Sequence, residues 1–214
     1  MQPSNTFHNL PQDKQERIIE VAVREFADNG YRRASLNNMV RRLGIAKGSM
    51  YQYFPNKEGL FLHVFDRFTD QVKETLGRAV KLDSGEDFIA QLKQSLHAGL
   101  AFIDQNPAYY QLYLRVLFEA EVPEREKLLA KVRLFSMDYF GGLCLAAQKR
   151  GQIRADVSCD LVVFLVESVL DRFLQSYAVP ENGNGLHLAK KSGAELEQTA
   201  NTIIEVLRTG LCPM

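Results

Sequence analysis

What is scarce in this chain narrows its chemistry before any motif is read. Only three cysteines occur among 214 residues, Cys144, Cys159 and Cys212, widely spaced and without a CxxC pair. So odd and dispersed a set argues against a disulfide framework and a thiolate metal site, and points to a reducing compartment. The four histidines, His8, His63, His97 and His187, stand singly, without the i, i+3 or i, i+4 pairing by which a helix offers two ligands to one ion. Neither a metal site nor a cofactor is expected. No apolar run approaches the roughly 18 to 20 residues that cross a bilayer; the longest, residues 161–166, ends at Glu167. The first residues lack a basic start followed by an apolar stretch, so no export signal is read, no membrane partner is expected, and the expected location is cytoplasmic.

Catalytic motifs are missing too. There is no GxSxG, no phosphate-cradling glycine loop and no HExxH. Glu119 and Glu121 flank Ala120, but side chains two apart on a helix point away from each other. No catalytic residue is assigned, and an enzyme is disfavoured.

Net charge is zero, which excludes a uniformly basic nucleic-acid binder and shifts the question to distribution. Residues 29–57 contain no Asp or Glu, yet hold Arg32, Arg33, Arg41, Arg42, Lys47 and Lys57. Such a run is either a solvated surface or an electrostatic footprint for phosphates. With 46% hydrophobic and 24% charged residues the chain reads as globular.

Apolar residues recur at helical spacing nearly throughout, and no alternating strand pattern of useful length appears, so the fold class is all-α with about nine helices. A first helix carries Ile18, Ile19, Ala22 and Phe26 and stops at Asn29-Gly30, where glycine can turn left-handed. Ser35 is an N-cap for a second helix with Leu36, Met39, Val40 and Leu43 on one face and Asn37, Asn38, Arg41 and Arg42 pointing away. Gly44 supplies a turn, and residues 46–54 form a short third helix closed by Pro55. Two short helices joined at a glycine make a helix-turn-helix. Asn56 caps a long fourth helix with Phe61, Val64, Phe65, Phe68, Val72 and Leu76 in a stripe. Later helices are punctuated by Ser84, Asn106-Pro107, Pro123, Gly151, Pro180 and Ser192 with Glu195, and residues 179–191 form the one long loop.

If Met50 and Phe54 face the core, Gly48, Ser49 and Gln52 lie opposite, flanked by Tyr51 and Tyr53. Small residues let a backbone approach phosphates, and a glutamine beyond them can read a base edge in the major groove. The tyrosines also fit as amphipathic core-edge residues. Lys57 either is solvated or touches a phosphate.

The run from Phe26 through Gly30-Tyr31, Gly44-Ile45, Lys47-Gly48-Ser49, Tyr51, Tyr53-Phe54, Lys57 and Leu60 strongly resembles the DNA-binding region of the tetracycline-repressor-like (TetR) family. The likeness is close over residues 18–64. It implies a homodimer that reads a near-palindromic operator in double-stranded DNA, with Asn37, Lys47, Gly48, Ser49, Tyr51, Gln52, Tyr53 and Lys57 as the DNA-binding set. It also implies a division into a DNA-binding domain, 10–58, and a ligand-binding and dimerisation domain, 59–214. One departure is Ala46, where the family usually carries a Ser or Thr cap; a missing cap costs about 1 kcal/mol.

In the second domain, residues 161–177 are apolar almost all round, and Leu196, Ala200, Ile203, Leu207 and Leu211 form a stripe. Together these helices suggest a four-helix bundle with a second copy. Aromatics concentrate between Phe102 and Phe140. They form either core or the wall of a pocket for a small apolar or aromatic ligand, with Phe102, Tyr110, Tyr113, Phe135 and Tyr139 as the ligand-binding candidates. The function expected is a sequence-specific transcriptional regulator, a repressor released by its ligand. An activator, or a DNA-binding module without sequence preference, would use the same head.

Overall fold

Helix follows helix along the whole described chain. The computed structural model describes residues 3–81, 85–179 and 185–212, and among them there is no strand. The helices are α1 (Asn5–His8), α2 (Gln12–Arg33), α3 (Leu36–Leu43), α4 (Lys47–Tyr53), α5 (Lys57–Ala79), α6 (Phe88–Gln105), α7 (Pro107–Phe118), α8 (Arg125–Lys149), α9 (Cys159–Ala178) and α10 (Gly193–Leu211), with a 3₁₀ turn at Leu188–Lys190. The all-α class read from periodicity holds. Of the punctuating residues, Ser84 and Pro180 lie outside the described residues, as does the centre of the loop at 179–191. Asp87 does the capping before α6, its Oδ2 accepting from the backbone N–H groups of Ile89 and Ala90 at 3.1 and 3.2 Å.

The chain divides into two compact units, Met1–Val72 with Asn106–Lys131, and Lys73–Gln105 with Val132–Met214. This division by packing has other bounds than the division by role expected from the resemblance, 10–58 and 59–214. In the first unit α7 lies along α2. Arg115 fastens the pair, its Nε donating to Ala27 O and its Nη2 to Asp28 O, both at 3.0 Å, so one guanidinium satisfies carbonyls near the end of α2. The helical backbone of α2 breaks at Gly30, with φ 68° and ψ 169°. A side chain there is doubly excluded: φ is left-handed, and a Cβ would lie 2.6 Å from Oε2 of Glu119. Glu119 is itself paired with Arg115 Nη1 at 2.6 Å.

In the second unit, α6, α8, α9 and α10 enclose one core that includes Leu92, Leu96, Leu143, Val162, Val166 and Ile204. Ser192 and Glu195 form the reciprocal cap of α10 that their spacing predicts. Three of the five stripe residues on α10, Ala200, Leu207 and Leu211, are buried in the unit's own core, where α10 packs on α6, and Leu196 and Ile203 are half-buried. Large apolar side chains are exposed on α8 (Leu134, Met137 and Leu145), on α9 (Leu161 and Phe164) and on α10 (Val206).

Candidate nucleic-acid interface

The reading element is assembled by local signals. Ser35 caps α3, its hydroxyl accepting from Asn38 N, and Gly44, at φ 70° and ψ 29°, ends that helix in the left-handed region. α4 follows after two residues without any side-chain cap at Ala46. Met50 and Phe54 are buried, 1% and 2% exposed, which fixes the rotation of α4. Gly48, Tyr51 and Gln52 are consequently exposed and Ser49 half-buried. Lys47 at the start of α4 and Asn37 on α3 are exposed as well. The outward face thus carries small, amide, phenol and ammonium groups and no carboxylate, as a surface that approaches phosphates and base edges requires.

Tyr53 and Lys57 have prior engagements. Tyr53 is half-buried with its ring edge-on to Phe7, centroids 6.2 Å apart. Lys57 Nζ donates to three carbonyls, Tyr31 O at 2.9 Å, Arg32 O at 3.1 Å and Ala34 O at 3.2 Å, and lies 4.6 Å from the centroid of the Tyr31 ring. Partial burial lowers its pKa. All three donors of the ammonium hold the turn after Gly30 in place, so the phosphate contact expected from sequence competes with a structural clamp.

Several supporting groups are not legible in the sequence as such. Glu25, fully buried on α2, accepts from Ser35 N at 3.1 Å and Asn38 Nδ2 at 3.3 Å and lies 3.7 Å from Arg42 Nη1. Asn38 and Arg42, read from sequence as pointing away from the core, therefore join α3 to α2. The one available signal is a carboxylate three residues beyond Ala22 on the apolar stripe. The N-terminal segment is a second such feature: Ser4 N donates to Tyr53 O at 3.0 Å, capping the end of α4. Phe7, 2% exposed, stands 4.9 Å from the ring of Phe54 and 5.7 Å from that of His63. Burial and, secondarily, the charge of Arg67 push His63 down to about 4, so it is neutral at pH 7.

The five aromatic ligand candidates are not gathered in one place within either unit. Tyr110 and Tyr113 are buried in the first, with centroids 5.7 Å apart and Tyr113 stacked 5.6 Å from Phe68. Phe102, Phe135 and Tyr139 belong to the second. There the Tyr139 hydroxyl is hydrogen-bonded to Ser95 Oγ at 2.9 Å, and the Phe135 and Tyr139 rings are 5.9 Å apart. A surface groove of about 710 Å³ along α10, lined by Lys93, Glu197, Asn201 and Glu205 among others, contains none of the five. Among the described residues no cluster of three or more His, Cys, Asp or Glu could hold a metal ion. Among them, too, no helix is long and apolar enough to cross a membrane.

Residues 18–64 match the model of bacterial regulatory proteins of the tetR family. A crystal structure of a TetR family transcriptional regulator from Chloroflexus aurantiacus J-10-FL is similar over 100% of both chains, with TM-score 0.76 and 27% identity. The fatty acid metabolism regulator protein of Bacillus subtilis (strain 168) is 23% identical over 199 residues, 92% of this chain and 95% of that protein. The structure of the Bacillus subtilis transcriptional regulator FadR in complex with stearoyl-CoA shares the fold at TM-score 0.72 and 16% identity, over 91% of this chain and 98% of that one. The helix-turn-helix, its carboxylate-free outer face and these likenesses agree: residues 18–64 form a DNA-binding region of the tetR family type, and the chain, similar over its length to TetR family regulators, is a DNA-binding transcriptional regulator.

Proposed function

We propose that the chain works in the cytoplasm as a homodimeric repressor that sets one α4 into each half-site of a near-palindromic operator and lets go when a small ligand binds. The observation that carries the reading half is the rotation of α4: burial of Met50 and Phe54 turns Gly48, Ser49, Tyr51 and Gln52 outward. Gln52 is the base-reading side chain, able to bond adenine in the major groove, and Asn37, Lys47 and Ser49 position the backbone on phosphates. Tyr51 adds an exposed phenol, and Tyr53 and Lys57 act chiefly by holding α4 and the turn before it.

The dimer reading rests on the exposed apolar stripes of α8 and α9, where Phe164 is 63% and Leu145 55% exposed. Paired with the same stripes of a second copy they form a four-helix interface, an isologous contact of the kind a near-palindrome requires. The ligand site of this reading lies in the second unit, to which the aromatic rings of Phe102, Phe135 and Tyr139 belong. The stearoyl-CoA held by the Bacillus subtilis regulator makes long-chain acyl thioesters the first compounds to try. Release requires the ligand to favour one of two conformations, and α5, which carries the chain from the first unit into the second, is the connecting element.

Selection from a random duplex pool with the full chain tests this reading. The expected product is a near-palindrome whose half-sites are centred about 34 to 36 Å apart, or a multiple of that, with binding that weakens steeply with salt. A pool that emerges without any enriched sequence overturns it.

A further inference from the structure

The second unit holds two thiols that DNA reading does not use. Cys144, late in α8, is fully buried in the apolar core beside Leu143, Ala147 and Val162. Cys159 is the first residue of α9 and only half-buried. Both are free thiols, and the connection at 150–158 folds back so that their sulfurs lie 2.6 Å apart. Atoms in non-bonded contact ordinarily rest at ~3.5–4 Å, whereas a sulfur–sulfur bond is about 2.05 Å long. Closing this gap asks for about half an ångström of movement.

The connection is itself tied down, which keeps the sulfurs in register. Arg154 N donates to Leu211 O, and Gln152 N to Ala147 O, each at 2.9 Å. Gln148 Nε2 donates to Val157 O at 2.7 Å, and its Oε1 accepts from Cys159 Sγ at 3.1 Å. With the Cys159 proton turned to Gln148, the proton between the sulfurs is that of Cys144.

We propose that Cys144 and Cys159 form a thiol-oxidation site, closing reversibly to an intramolecular disulfide when the protein meets a hydroperoxide. Cys159, the partner that solvent can reach, attacks the oxygen–oxygen bond: a sulfur–oxygen bond forms, the peroxide bond breaks, and an alcohol or water leaves with the thiol proton. Cys144 then attacks the sulfenic sulfur: the sulfur–sulfur bond forms, the sulfur–oxygen bond breaks, and the hydroxyl departs as water with the second proton. Two thiols lose two electrons and two protons, and the hydroperoxide takes them up. The order follows from access and acidity, since burial pushes the Cys144 thiol up to about 12 and leaves it a poor first nucleophile. A dithiol reductant reopens the bond by exchange. The site is compatible with a reducing compartment, because its resting form is the pair of thiols.

The test uses the reduced full chain, dilute hydrogen peroxide, alkylation and peptide mapping, and it does not depend on any operator or ligand. The expected result is loss of two of the three alkylatable thiols, a chain two hydrogen masses lighter, and a linked peptide pair carrying Cys144 and Cys159. A dithiol reverses all of it. C212S behaves as the natural chain, whereas C144S accumulates a trappable sulfenic acid at Cys159 and forms no disulfide. Three thiols that stay alkylatable at a dose that oxidises free cysteine, or a disulfide that includes Cys212 or links two chains, would overturn the proposal.

Discussion

The head and the second unit dispose of their apolar side chains by different rules. In the head every apolar stripe has one destination: Ile18, Ile19 and Phe26 of α2, Met39 and Leu43 of α3, Met50 of α4 and Phe61 of α5 are all buried, and the buried carboxylate of Glu25 is held by Ser35, Asn38 and Arg42. In the second unit α8 and α9 leave Leu134, Met137, Leu145, Leu161 and Phe164 exposed while Gln91 and Ser95 are buried. Large apolar side chains left exposed on a folded unit are what an association site requires. On the proposed reading the head is complete as one chain, and the second unit is finished by another.

The sharpest way to break that contrast is Phe164→Glu. A charge at the centre of the proposed interface weakens the dimer by at least ~2 kcal/mol, about thirtyfold, and operator binding falls with it while helix content is unchanged. Sedimentation shows the outcome; a dimer that persists at the same concentrations places the interface elsewhere. In the head, the largest effect is expected of Lys57→Met, which strands the carbonyls of Tyr31, Arg32 and Ala34 and costs about 1–3 kcal/mol of folding stability. Urea unfolding reads this directly. Loss of operator affinity without loss of stability would return Lys57 to the phosphates.

A smaller effect belongs to His63. Its value in the fold, about 4, is below the ordinary 6.5, so the folded state holds the neutral ring. The unfolded chain takes up the proton first as pH falls, and stability drops between pH 6.5 and 4 while remaining level above that window. His63→Gln flattens the profile in that interval; an unchanged slope means other groups cause it. The smallest effect is a gain: Ala46→Ser supplies the cap that α4 lacks and adds about 0.5–1 kcal/mol, visible as slower amide exchange in the first turn of α4.

What can be read from sequence is local. Ser35, Asn56 and Ser192 act within a few residues of their positions, and the three caps form as their spacing predicts: Asn56 Oδ1, for example, accepts from Gly59 N at 2.7 Å. The faces of α3 and α4 follow from which residues are apolar, so the exposed edge at Gly48 and Gln52 is legible too. Periodicity says that a face is apolar and is silent about which neighbour covers it. For that reason the stripe on α10 says nothing of α6, which packs against part of it, and five aromatics that form one group in sequence fall into two units. Lys57 and Glu25 escape a reading of the sequence because their partners are brought near by the break at Gly30 and the α2–α3 packing, relations that no short window contains.

The central claim is that the exposed edge of α4 reads bases, and the most direct measurement compares the operators that the natural chain and Gln52→Ala select from one random duplex pool. The account predicts that the variant keeps the half-site spacing but loses preference at one symmetric position in each half-site, a discrimination of about 1–3 kcal/mol. Identical preferences at every position would contradict it.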